Sequence, residues 1–238
     1  MRTAPESECA RRPLAPRPRS FPTIAGALAL VGVALGLAGC AAPRAGTDAA
    51  AGPAAGPAAR TLATPLADGR TAEGGFVDAF MFAEKPGDVA IDPVARSSGA
   101  TRATGVIEPR HGSTWGGIAL STSLQRGGRA LDVGAGRTLA ISLASTGSGT
   151  LRVRLVGPDA ALRDSGCYPV ALVHVEPALK EYAVPIASFM PESYCGADAP
   201  AGARAAAALT AVEVADAAVA AGRRRQVDFT VGVIRVLP

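Results

Sequence analysis

The chain has 238 residues, a formal charge of +4, and 48% hydrophobic residues but only 4% aromatic ones, so any core must be packed with Ala, Val and Leu rather than rings. Residues 1–39 carry five Arg against two Glu, which is +3 of that charge and leaves +1 for the remainder. The balance implies no basic patch of the kind that nucleic-acid binding needs, and no nucleic-acid partner is expected.

The first element is a leader. Arg11, Arg12, Arg17 and Arg19 precede the uncharged run from Phe21 to Leu37, and Leu37-Ala38-Gly39-Cys40 follows it. A positive region, an apolar stretch and small residues at a cleavage site are the three parts of a secretion signal. The pattern resembles the bacterial lipoprotein signal, whose lipobox is a Leu, two small residues and a Cys. That resemblance implies that residues 1–39 are removed, that the Cys40 thiol is acylated, and that membrane attachment runs through this lipid. Ala41, where an Asp would retain a lipoprotein at the inner membrane, implies the outer membrane. The rival reading is a spanning helix, but the run is Ala- and Gly-rich and shorter than the ~20 strongly apolar residues that cross a bilayer.

Residues 40–73 follow as a tether. The stretch from Ala41 to Arg70 is low in complexity and carries a GPAAGPAA near-repeat, a composition that buries too little to fold and behaves as a semi-extended spacer. The folded domain is expected over residues 74–238.

That domain reads as strands. Apolar and polar residues alternate from Thr101 to Ile107, Trp115 to Thr122, Arg137 to Leu143, Thr150 to Val156, Tyr168 to Val175 and Gln226 to Val236, the period of a half-buried strand. Gly, Pro, Ser and Asp clusters separate them, and Thr146-Gly147-Ser148-Gly149-Thr150 has hairpin-turn composition. Short strands at this spacing predict an all-β antiparallel sandwich. The Ala-rich stretch around residues 203–220 has helix formers throughout. It is divided between a loop or single helical turn and a strand from Leu209 to Ala215.

Of the four cysteines, Cys9 leaves with the leader and Cys40 takes the lipid. Cys167 and Cys195 remain in an oxidising compartment, and a disulfide between them is expected. Closing a loop of this length contributes roughly 3 to 4 kcal/mol in the chain-entropy model. A metal site would need His partners, and His111 and His174 are too scattered to supply them.

The order WGGIALS, GRTLAISL with TLRVRLVG as its neighbour, KEYAVPIASF, LTAVEV and FTVGVIRV resembles the galactose-binding-like jelly roll. Relatives of that kind include the family 11 carbohydrate-binding modules and the complex I intermediate-associated proteins. Val184-Pro185-Ile186 with Phe189, and the closing run from Phe229 to Ile234, carry the resemblance. Many members place an Asp two residues before the closing Ile that helps to hold a structural calcium. Gly232 stands there in this chain, so no metal is expected, and nothing in the sequence calls for a cofactor.

Catalytic patterns are missing from the sequence. Ser121, Ser123 and Ser142 lie outside any G-x-S-x-G elbow, and no phosphate loop or dinucleotide fingerprint occurs. Asp78, Glu84, Asp88 and Asp92 read as solvated surface. A binding function can be given residues. Alternation puts Arg152 and Arg154 on one face of their strand and His174 with Glu176 on one face of theirs. Arg guanidinium groups offer fixed donors to sugar hydroxyls, and Trp115, Tyr168 and Tyr182 are the candidate stacking rings. The expected partner is a polysaccharide or another envelope component. An envelope protein docking on the sandwich is the alternative.

Overall fold

The computed structural model describes residues 58–124, 129–134, 136–196, 199–219 and 223–238. Cys40 and the leader lie outside them. Among the described residues no helix is long and apolar enough to cross a membrane.

Two antiparallel sheets face each other. In the seven-stranded sheet the order is β10 (Lys180–Pro185), β7 (Thr138–Ser145), β12 (Arg225–Leu237), β5 (Ala100–Ile107) and β3 (Val89–Ile91). Two short strands join it, β1 (Arg60–Ala63) beside β12 and β4 (Ala95–Ser97) beside β5. In the five-stranded sheet the order is β2 (Phe76–Ala83), β6 (Trp115–Ser123), β11 (Ala211–Val219), β8 (Thr150–Val156) and β9 (Val170–His174). This is the all-β antiparallel sandwich that the alternation predicts, in the jelly-roll form that the resemblance implies.

The alternation is also what fills the core. On β8, Leu151, Val153 and Leu155 are buried while Arg152 and Arg154 point outward. Val227, Phe229 and Val231 on β12 do the same until the register shifts between Val231 and Ile234. The shift returns Ile234 and Val236 to the interior, as a bulge allows. Gly232 sits in that bulge. A Cβ there would lie 2.8 Å from the Ser142 Cβ and 3.2 Å from the Gly99 carbonyl oxygen, which leaves no room for a carboxylate side chain at this position. Leu, Ile, Val and Ala dominate the core, with Phe189 and Phe229 as its largest rings.

Three expectations need correction. The domain begins before residue 74, because β1 pairs with β12 and buries Leu62 and Ala63. Pro65 bridges Thr71, and the Glu73 carboxylate accepts from the Thr64 amide and hydroxyl. A dozen residues of low-complexity flavour thus contain two buried apolar side chains, enough to join a sheet edge. Second, residues 146–149 form no hairpin: β7 pairs with β10 and β12, whereas β8 pairs with β11 and β9, so the segment crosses between sheets. Third, Asp88 is not solvated surface, being 1% exposed. The Ala-rich stretch does divide as expected, into a short helix α2 (Gly202–Ala206) and then β11.

Candidate functional site

The outward face of the five-stranded sheet collects most of the candidate side chains. Strand register fixes who stands beside whom. Phe80, Ala119, Ala215, Arg152 and Leu172 form one row across the sheet. Asp78, Ser121, Glu213, Arg154 and Val170 form the next. At about 4.8 Å between strands, Phe80 and Arg152 are separated by roughly 14 Å of backbone floor.

One side of that floor is aromatic. Phe80 and Phe82 alternate along β2 with ring centroids 6.3 Å apart, and Phe82 lies 6.5 Å from Trp115 at an interplanar angle of 29°. Trp115 is half-exposed. The floor is small: Gly117, Ala119, Ala215 and Ala217 face the same way. A Cβ on Gly117 would meet the Phe82 Cζ at 2.6 Å, so the glycine lets the ring lie down against β6.

The other side is polar. Arg152 Nη2 donates to Glu192 at 2.5 Å, and Arg154 Nη1 lies 3.4 Å from Glu213. Burial pushes the Glu213 carboxyl upward, against the pull of Arg154 and Arg163. Glu192 arrives on the loop after Phe189, and that loop is tied down by the disulfide Cys167–Cys195, with a Cα–Cα distance of 5.6 Å. The expected pairing of these cysteines is therefore present. Its neighbour Tyr194 is 64% exposed and donates its hydroxyl to the Gly166 carbonyl. Burial and the adjacent Glu192 hold the Tyr194 phenol above its ordinary range. His174 stands at the β9 edge of the same face, its Nδ1 3.0 Å from the Thr150 hydroxyl.

The outcome for the sequence-chosen residues is divided. Arg152, Arg154, His174 and Trp115 share this face. Tyr168 lies over the far end of the same face, against Val156, Ala211 and Leu162, but it is 3% exposed and its hydroxyl donates to the carbonyls of Gly157 and Asp159, so its ring is closed to a ligand. A short helix α1 (Ala160–Ser165), capped by Asp159, carries Leu162 over it. Tyr182 sits on β10 in the other sheet, where its hydroxyl accepts from the Glu176 amide and Lys180 lies over its ring. Neither ring is placed to stack with a ligand held by Arg152.

Five side chains of this face went unrecognised in the sequence: Phe80, Phe82, Glu192, Tyr194 and Glu213. A signal existed for two of them, since Phe76, Asp78, Phe80 and Phe82 recur every second residue. Arg152, Arg154, Glu192 and Glu213 pair off, so the polar wall is balanced in charge. A shallow depression of about 310 Å³ on the opposite sheet is lined by Arg102, Thr146, Leu179 and Asp228. Its charged groups are bonded to each other. Among the described residues no cluster of three metal-binding side chains occurs.

No family model matches the sequence, and no curated protein matches it. Solved structures do align. A family 11 carbohydrate-binding module from Clostridium thermocellum, in complex with a β-1,3-1,4-mixed-linked tetrasaccharide, is 12% identical. The alignment covers 75% of this chain and 95% of that one, with a TM-score of 0.49. A family 30 carbohydrate-binding module of a cellulosomal cellulase of Clostridium thermocellum is 14% identical over 75% and 96%, with a TM-score of 0.41. An exo-β-agarase is 8% identical over 75% of this chain and 26% of the enzyme, with a TM-score of 0.39. At such identities the likeness concerns the path of the chain.

Proposed function

We propose that the outward face of the five-stranded sheet is a carbohydrate-binding cleft of a non-catalytic module. The observation that carries this reading is the opposition of Phe80, Phe82 and Trp115 to Arg152, Arg154 and Tyr194 across a Gly and Ala floor. A sugar ring is amphipathic, with C–H groups on its faces and hydroxyls around its rim. An aromatic strip offers the faces an apolar surface. Arg152 and Arg154 bring fixed donors, while Glu192 and Glu213 bring acceptors for the hydroxyls. Such a mixture of a few convergent polar groups and apolar lining is what ligand sites use.

Affinity electrophoresis through gels containing soluble plant, bacterial and capsular polysaccharides tests the reading. Retardation by at least one glycan, lost in Trp115→Ala, is expected. Unchanged mobility in every gel, together with co-purification of a stoichiometric protein partner, would overturn it.

The same proposal places the module outside the cytoplasm on a lipid anchor at Cys40, on the outer membrane, with residues up to the start of β1 as its tether. What supports this is the basic, apolar and small-residue order ending in Leu-Ala-Gly-Cys. Labelled palmitate incorporated into the full chain, and lost in Cys40→Ser, is the expected result. No incorporation would remove the anchor and leave the binding face to stand on its own test.

A further inference from the structure

Trp115 opens β6, and nothing in its own strand fixes which way the ring sits. The preceding segment, residues 108–114, connects β5 to β6. A second segment, residues 84–88, connects β2 to β3 and runs beside it. The two are joined by side chains of the second gripping the backbone of the first. Asp88 Oδ1 accepts from the His111 amide at 2.9 Å and from His111 Nδ1 at 2.7 Å, and Asp88 Oδ2 accepts from the Ser113 amide at 3.0 Å. Glu84 Oε2 accepts from the Thr114 amide at 2.8 Å and the Thr114 hydroxyl at 2.7 Å. Three backbone amides complete the join: Lys85 N donates to the Ser113 hydroxyl, Glu84 N to the Trp115 carbonyl and Glu108 N to the Asp88 carbonyl.

Three backbone amides of an irregular segment, at 111, 113 and 114, thus end on two carboxylates. Asp88 is 1% exposed. A buried carboxylate costs several kcal/mol unless every lone pair direction is used, and here it is spent on a connecting segment rather than on the core. The residue that follows the last gripped amide is Trp115, half-exposed and stacked on Phe82.

We propose that Asp88 and Glu84 are positioning residues for Trp115. They clamp residues 111–114 so that the indole is held on the cleft floor's aromatic side before any ligand arrives. The inference rests on the cleft reading for its biological use, but the clamp itself does not depend on a glycan. Preorganising an aromatic anchor in this way spares the ordering cost that a mobile ring incurs on binding.

Trp115 is the sole tryptophan of the chain, so the intrinsic fluorescence of the whole protein reports on it alone. The experiment compares steady-state anisotropy and acrylamide quenching, without ligand, in the full-length protein and in Asp88→Ala, Glu84→Ala and Tyr168→Phe. Tyr168→Phe removes hydroxyl bonds at a distant part of the fold and controls for general destabilisation. Asp88→Ala and Glu84→Ala are expected to lower the anisotropy and raise the quenching constant toward that of free indole, with the far-ultraviolet dichroism unchanged. Tyr168→Phe is expected to leave both at the wild-type value. Wild-type anisotropy and quenching in a folded Asp88→Ala or Glu84→Ala would overturn the proposal. If Asp88→Ala does not fold, Glu84→Ala decides, since Glu84 lies nearer the surface. A clamp present in a protein that no glycan retards would refute the cleft reading alone.

Discussion

The Phe82 ring lies directly against the backbone of Gly117, its Cζ only 2.6 Å from where a β-carbon would stand. Phe82 belongs to the edge strand β2 and Gly117 to its neighbour β6, and the two are register partners. A missing side chain on one strand is therefore what makes room for a flat ring on the next.

Gly117→Val should lift that ring. The new methyl groups cannot share space with Phe82, and the Asp216 carbonyl oxygen, 3.0 Å from the same position, blocks retreat the other way. Displacing one aromatic anchor from a binding face typically costs about 1.4 kcal/mol or more, a tenfold loss of affinity. Titration calorimetry with whichever glycan retards the wild type should show this loss, with Phe82→Ala giving a similar value. Unchanged affinity in both variants would remove Phe82 from the site.

Much of this architecture is written locally, and the part that is not depends on long-range pairing. TLRVRLV states its own strand and both of its faces, because every second residue is apolar. FVDAFMFA alternates too, yet only its pairing with β6 shows that the Phe82 side is the one that meets Gly117. The three tyrosines look alike in the sequence. Tyr168 is buried because the Gly157 and Asp159 carbonyls lie within reach of its hydroxyl, and Tyr194 is exposed because a disulfide holds its loop over the sheet edge. Residues 146–149 have the composition of a hairpin turn, but composition does not say whether the strands it joins share a sheet.

Tyr168→Phe separates fold from function. The lost hydroxyl leaves two carbonyl acceptors at 2.8 and 2.6 Å without their donor, worth about 1 kcal/mol. Chemical denaturation should register that loss, and glycan affinity should not change. A drop in affinity without a drop in stability would give Tyr168 a part in binding.

Opening the disulfide should affect both. A double Cys167→Ala and Cys195→Ala variant releases a loop of sequence separation 28, with an expected loss of roughly 3 to 4 kcal/mol of stability in the chain-entropy model. The same loop carries Glu192 and Tyr194, so Arg152 loses its partner. Affinity should fall at temperatures where the variant is still folded. Denaturation curves and titration on the same preparation distinguish the two effects.

Acid should weaken the Trp115 clamp from the side of Asp88. Burial by itself raises that carboxyl, but the amides of His111 and Ser113 and the His111 ring more than offset it, and the net displacement is well below the usual carboxylate range. The Thr114 hydroxyl and amide lower Glu84 in the same sense. A carboxylate whose folded-state value is depressed contributes stability that is fully present above its unfolded value, near 4 for Asp and Glu. That contribution is lost as the pH falls toward the folded-state value. Glu213 and Asp216, which burial raises, act in the opposite direction because protonation relieves them. The anisotropy of Trp115 in the wild type should accordingly hold at about pH 4 and fall only below it, as the pH approaches the depressed folded-state range of these carboxyls. In Asp88→Asn it should already be low at neutral pH and change less on acidification, because the group whose protonation releases His111 and Ser113 is gone. Parallel acid profiles for the two proteins would mean that other carboxylates carry the transition.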